Sequence, residues 1–316
     1  MEKKLDIITI GESLVEFSTD MSLTEAECLH KYYGGDALAT AIAALRMGSK
    51  VGFISKVGED YFKDYLINNW KAEGLDVSQI KFSKDANGLY FIARPDICKK
   101  EIIHYRKKIA PSKLSIEDIS PEYIASSTVV YASGITQSLS LSASEAVGYA
   151  FKTAKELGIT TAYDPNFYPH LTTPEHAREN FANVASDVEI LFMSSKYDTV
   201  NILELHSIEN IIKYLTDQGI VIVVIKSSED GGYYTGYNGS IVFTEFYTKN
   251  VVDTTCSGDA FNGGFLHAIS HGCTPFEATK MGSVVAGLQA GEIGAIKPIP
   301  YRDDVLAIFN KGESCS

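Results

Sequence analysis

The stretch DTTCSGDAFNGGF (253–265) sets three small residues, Cys256, Ser257 and Gly258, directly before Asp259 and an apolar, helix-like run. Small residues let a backbone turn tightly and leave its amides uncovered, and a helix beginning there aims its positive end at the same spot. Such a place suits an anion. Asp259 reads there in two ways, as an N-cap, for which aspartate is among the best residues, or as a working carboxylate beside the anion. Three other places carry comparable double readings. Gly34-Gly35 opens a helix-like run, so backbone there either approaches a ligand closely or simply turns. YDPN (163–166) follows a strand-like run and sets Asp164 and Asn166 at its end, in a pattern that is also common turn chemistry. Arg106, after Tyr105, can clamp a carboxylate or phosphate bidentately, or stand solvated on a sheet.

These residues need a scaffold, and the chain supplies one. It has 316 residues, 45% apolar and 22% charged, which is ordinary globular composition and enough for one large domain. A net charge of -12 argues against nucleic acid or an anionic membrane as a partner through a broad basic surface. MEKKLDIITIGES shows no signal-peptide pattern, and the longest aliphatic run, IVIVVI (220–225), is too short to span a bilayer. Five scattered cysteines without a CxxC pair fit a reducing compartment, so a cytoplasmic location is expected. Strand-like runs at 6–11, 49–58, 128–134, 160–166, 188–195 and 220–225 alternate with helix-like runs at 35–48, 60–74, 142–158, from 260, and 279–291. That alternation predicts an α/β fold, a doubly wound and mostly parallel sheet flanked by helices. Ligands then bind beyond the carboxyl ends of the strands, where Gly11, Ser133, Asp164, Ser194 and Lys226 converge. One region breaks the rule: VEFSTD (15–20), LYFIARPD (89–96) and KEIIHYRK (100–107) read as strands without helices between them. We expect a small antiparallel β lid over the crevice, built from about 12–33 and 87–108 within a single domain of residues 1–316. Ile102, His104 and Arg106 share one face of it.

Taken in order, the motifs resemble the ribokinase-like (PfkB) family of carbohydrate kinases over nearly the whole chain. The first family signature is similar to YGGDALATAIAALRMGSKVGFISKVGEDYFKDYL (33–66) and the second to VVDTTCSGDAFNGGF (251–265). Gly11-Glu12, Tyr33-Gly34-Gly35-Asp36, HYRK (104–107), ASGIT (132–136) and DPN (164–166) resemble the 2-keto-3-deoxygluconate kinases in particular. The resemblance implies that Asp259 is the general base for transfer of the γ-phosphate of ATP to a sugar hydroxyl. The backbone amides of Cys256, Ser257 and Gly258 would form an anion hole. It implies sugar contacts from Gly34, Asp36, Tyr90, Tyr105, Arg106, Asn166 and Asp259. For the nucleotide it implies Lys226, Ser228, Gly231, Gly258, Ser283 and Ala286. ATP brings Mg²⁺, held largely by phosphates and water. Asp253 resembles the family's monovalent-cation site, for K⁺. A homodimer pairing two lids would follow, since a single-layer sheet seldom leaves its apolar side in water.

Several positions depart from the family pattern. Ala39 replaces an asparagine of the first signature, Tyr168 stands where DPNxR has an arginine, and Ser194 and Tyr197 replace both ends of NxxE. Ser228 replaces a glycine near the nucleotide, and Cys256-Ser257 replace Gly-Ala. These changes touch the sugar more than the reaction. The implied substrate is therefore 2-keto-3-deoxygluconate, with 5-dehydro-2-deoxygluconate or fructose as alternatives, and a non-catalytic sugar-binding sensor as the alternative to an enzyme. Arg106 supplies the physical case for an acidic sugar. Trp70 reads as core, His104 as a packed or solvated ring, and His267 with His271 as structural despite helical metal spacing.

Overall fold

The computed structural model describes residues 4–96, 99–247 and 250–313. Cys98 and Cys315 lie outside the described residues. The strands are β1 (Ile7–Ile10), β2 (Leu14–Thr19), β3 (His30–Gly34), β4 (Val51–Gly58), β5 (Ile80–Ser83), β6 (Gly88–Asp96) and β7 (Lys99–Tyr105). They continue with β8 (Val129–Ser133), β9 (Thr160–Asp164), β10 (Ile190–Ser194), β11 (Ile222–Ser227), β12 (Gly232–Tyr237) and β13 (Ser240–Glu245). The helices are α1 (Asp36–Arg46), α2 (Lys63–Glu73), α3 (Pro121–Ala125), α4 (Gly134–Ser138) and α5 (Leu141–Glu156). After them come α6 (Pro174–Ala182), α7 (Ile208–Asp217), α8 (Ser257–Ser270), α9 (Pro275–Gln289) and α10 (Arg302–Glu313).

The large sheet runs β13-β12-β11-β10-β9-β8-β1-β4-β5. From β11 to β5 every pairing is parallel, and β12 and β13 add antiparallel at the β11 edge. Its strands are apolar almost throughout because helices cover both faces. Period-2 alternation divides them between two cores. Ile7, Tyr131 and Phe192 face the layer of α1, α8 and α9, while Ile8, Val130 and Leu191 face the layer of α5 and α7. Trp70 is fully buried and meets Phe53 edge-on at 5.6 Å, so it is core, as its place in an apolar helix face indicates. β1 lies between β4 and β8, the point where strand order reverses, so the crevice opens at the ends of β1 and β8.

The hairpin β12–β13 is absent from the sequence-based outline, although its signal is present. Asn238 and Gly239 both take positive φ, 49° and 74°, the pair of left-handed residues that a two-residue hairpin turn requires. The lid has strand order β3-β2-β6-β7. Its outer pairings are antiparallel, and the central one, β2 with β6, is parallel. Leu14, Tyr90, Ile92 and Ile109 form a small core of its own on the crevice side.

What holds α8 in place is close approach. A Cβ at Gly263 would overlap the Thr40 carbonyl and Ala43 of α1, a helix rich in alanine for the same reason. Gly148, on α5, has open space beyond it. Gly263→Val is therefore expected to destabilise the protein by about 3 kcal/mol or more, while Gly148→Ala stabilises it by about 0.5–1 kcal/mol. Urea unfolding of the two variants beside the parent checks both signs.

Candidate active site

α8 starts without a side-chain cap. Its N-cap is Cys256, a non-glycine residue held at φ 61°, and Asp259 lies three residues on, inside the first turn. Asp259 is therefore not the cap. Its carboxylate accepts a hydrogen bond from Asn166 Nδ2 at 3.3 Å and is largely buried. Burial, then the nearby negative charge of Asp36, hold it well above the usual aspartate range, against the pull of Lys226. The Ser257 amide donates to the Thr254 carbonyl at 3.2 Å and the Ala260 amide to that of Cys256 at 2.9 Å. The Ser257 amide is thus already used within the turn, and the amides of Gly258 and Asp259 are the first-turn donors open to an anion.

Beneath that turn sits Lys226, at the end of β11. Its Nζ lies 2.5 Å from Asp164 Oδ2 and 3.5 Å from Asn262 Oδ1. A Cβ on Gly258 would come within 3.4 Å of the ammonium, so glycine lets the turn settle onto the charge. Burial would lower this amine, but Asp164, Asp259 and Asp198 outweigh it and keep it above its ordinary value. Lys226 therefore acts from behind the turn. Asp198, unnoticed in the sequence, accepts the amides of Phe167 at 2.8 Å and Ser194 at 2.6 Å, tying the ends of β9 and β10 together. It follows directly on the position where NxxE is lost.

A cavity of about 230 Å³ opens between this turn and the lid, lined among others by Glu12, Gly35, Asp36, Tyr90, Arg106, Asn166, Cys256 and Asp259. Asp36 accepts from the Ser133 hydroxyl, Tyr90 donates to Glu16, and Arg106 pairs with Glu12. Glu12 Oε2, Asp36 Oδ1 and Arg106 Nε are buried and have no protein partner, leaving two acceptors and one donor unpaired among the residues of the wall. Burial lifts Glu12 to about 7, with Arg106 opposing. Burial, then Arg106, lowers His104 to about 4, so its ring is neutral near pH 7. Three expectations from the sequence need correcting here. His104 lines the cavity beside Tyr168, its ring 5.7 Å from the tyrosine, rather than being merely packed or solvated. Tyr105, one residue on, turns to the other face of β7, 60% exposed and edge-on to Phe91, because side chains alternate along a strand. Gly34 does not line the cavity. Its hydrogen makes room for the Tyr90 ring, and Gly35 is the glycine that faces the guest.

On the far side of the same turn lies a smaller, mostly apolar cleft of about 80 Å³, lined by Tyr233, Phe246, Tyr247, Thr254, Ser257 and Ala286 among others. Ala286 is where a nucleotide reading puts it. Ser283 is not: its hydroxyl accepts the Tyr247 amide at 2.8 Å and donates to the Glu245 carbonyl at 2.9 Å, pinning that segment to α9. Ser228 and Gly231 lie in the turn after β11, outside both cavities. Asp253 forms an ion pair with Arg94 at 2.5 Å. The rings of His267 and His271 lie tilted to one another with centroids 4.3 Å apart, His267 Nδ1 bonds the Ser49 hydroxyl, and no cluster of three metal-ligating side chains occurs among the described residues. Alternation along β7 signals His104 over Tyr105; nothing local signals Asp198 or Arg94.

The chain matches the pfkB family carbohydrate kinase description over residues 4–302. It is 28% identical to a 5-dehydro-2-deoxygluconokinase of Clostridium perfringens, across 98% of this chain and 94% of that one. It is also 28% identical to a 2-dehydro-3-deoxygluconokinase of Thermoproteus tenax, across 95% and 92%. An E. coli ribokinase-type protein solved with ATP and Mg²⁺ superposes with a TM-score of 0.88 at 22% identity, covering 98% of this chain and 99% of that one. This chain belongs to the pfkB family of carbohydrate kinases, and it is an enzyme of that class rather than a sensor.

With Asp259 raised by burial, the carboxylate form is reached only above the usual aspartate range of about 4. The acid limb of kcat/KM is expected to fall there and to vanish in Asp259→Asn, whose kcat drops by about 10³-fold or more. A pH–rate profile of both proteins measures this.

Proposed function

We propose that this kinase transfers the γ-phosphoryl group of Mg·ATP to a hydroxyl of a six-carbon keto-deoxy sugar acid, 2-keto-3-deoxygluconate first and 5-dehydro-2-deoxygluconate second. The observation that carries the acid is Arg106. Its guanidinium is buried in the cavity wall, one nitrogen on Glu12, with Nε unpartnered. Relatives equally similar to this chain bear the two names, which supports the class and keeps both members in it.

Asp259, ionised, takes the proton of the sugar hydroxyl as that oxygen attacks the γ-phosphorus. The bond to the bridging oxygen breaks, ADP leaves, and the proton passes to water. Charge on the transferring group meets the amides of Gly258 and Asp259, the positive end of α8, and Lys226 behind them. Asn166 holds the carboxylate toward the cavity. The apolar cleft beside Tyr233 and Ala286 suits the flat base of a nucleotide whose phosphates end at the turn. Mg²⁺ would be carried in with ATP, held by phosphates and water with one or two carboxylates at most.

ADP release with the two keto-deoxy acids and fructose tests the reading. The acids are expected to be turned over in preference to fructose, and Arg106→Met to raise the KM of the acid about tenfold or more while leaving that of fructose unchanged. Fructose as the best substrate would overturn the acid assignment. Because Glu12 ionises near 7 and then neutralises Arg106, the acid should also bind more weakly as pH rises through that value, read as Kd by calorimetry. The outer lid face, with Ile103 46% and Tyr105 60% exposed, is proposed to pair with a second copy. Sedimentation is expected to show a dimer at micromolar protein, and a monomer there would refute the pairing.

A further inference from the structure

The cation that the family resemblance places at Asp253 meets a site already filled. Asp253 Oδ1 accepts the Thr255 amide at 3.0 Å and the Thr255 hydroxyl at 2.6 Å, with Lys100 Nζ at 3.7 Å. Its Oδ2 accepts the Gly294 amide at 3.0 Å and Arg94 Nη2 at 2.5 Å. Lys100 also donates to the Thr255 hydroxyl. The carboxylate therefore has two hydrogen-bond donors on each oxygen and two cationic side chains against it.

The backbone carbonyls beside it are filled as well. Gln289 Nε2 lies 2.7 Å from the Thr255 carbonyl, 3.0 Å from that of Gly294 and 3.3 Å from that of Ala295. Three carbonyls converging on one point from two loops are what a weakly hydrated monovalent ion seeks. Here the fully buried amide of Gln289 stands at that point. The opposite orientation would set Oε1 against three oxygens, so the network fixes the NH₂ group inward.

We infer that this kinase carries its own substitute for the monovalent cation: the Arg94 guanidinium on Asp253, seconded by Lys100, and the Gln289 amide among the carbonyls of Thr255, Gly294 and Ala295. Arg94 and Gln289 are positioning residues. They fix the backbone of Thr255, the residue before Cys256, and so fix the turn from which the Gly258 and Asp259 amides project. Arg94 comes from β6 and Lys100 from β7 of the lid, and Gln289 from the end of α9, so three elements hold the turn without an ion. Nucleotide binding and turnover then proceed with equal strength in K⁺ or in a large inert cation.

The inference rests on the kinase reading but not on the identity of the sugar, and its test uses no sugar. Calorimetry of Mg·ATP binding in potassium chloride and in tetramethylammonium chloride is expected to give dissociation constants within about twofold of each other. Crystals soaked in rubidium chloride are expected to show no anomalous peak among the three carbonyls. Gln289→Ala uncovers those carbonyls, so in that variant a rubidium peak should appear and K⁺ should tighten Mg·ATP by about fivefold or more. A comparable K⁺ gain in the parent protein, or a rubidium peak there with Gln289 displaced, would overturn the inference. So would a folded Gln289→Ala that takes up no rubidium. Should that variant not fold, the two parent measurements decide. Failure to bind Mg·ATP at all would count against the kinase reading instead, and the rubidium map would still speak for or against the substitute.

Discussion

One largely buried ammonium organises the centre of this molecule. Lys226 leaves β11 beneath the first turn of α8 and is met by Asp164 from β9, with the charges of Asp198 and Asp259 close enough to act on it. A buried charge left without its partner costs several kcal/mol, so neither the lysine nor Asp164 can be removed alone at small cost. The same arrangement sets the charge of Asp164 against both Asp198 and Asp259 beside the larger cavity. Burial, then repulsion from Asp36 and Asp164, raises Asp259, which suits it to the proposed role of a base that holds the proton it accepts.

The lid answers this negative cluster from above. Arg106 pairs with Glu12 at the end of β1, and Arg94 with Asp253 ahead of α8, so two lid strands are tied electrostatically to the two places where the large sheet and its helices present backbone to a guest. Both ion pairs are buried, and their value lies less in stability than in orientation. The lid is shaped by these contacts as much as by its small core of Leu14, Tyr90, Ile92 and Ile109.

Much of this was legible in the residues. The βαβ alternation is carried by β-branched runs and amphipathic helices whose periods differ, and the placing of Asp259 after three small residues is a local pattern. The lid strands were readable because they lack helices between them. Other features are non-local and left no mark. Arg94 is 159 residues from Asp253, and nothing in either neighbourhood announces the pair. The HYRK motif names Tyr105 and His104 as consecutive residues, whereas a strand shows only alternate ones to any one side. Ser283 looked like a pocket residue from its small size and its helix, but its hydroxyl serves the backbone of 245–247. The Asn238-Gly239 turn was readable in principle, since its residue types alone demand the positive φ values they adopt.

The turn at 254–257 walls both cavities, with Thr255 and Cys256 on the sugar side and Thr254 and Ser257 on the other. On the proposed assignment, acceptor and donor approach one phosphorus from opposite sides of this turn. Asp259 then acts as the base toward the acceptor hydroxyl and forms no bond to phosphorus. Transfer on that assignment is a single displacement, and a γ-phosphorus made chiral with oxygen isotopes is expected to leave with its handedness inverted.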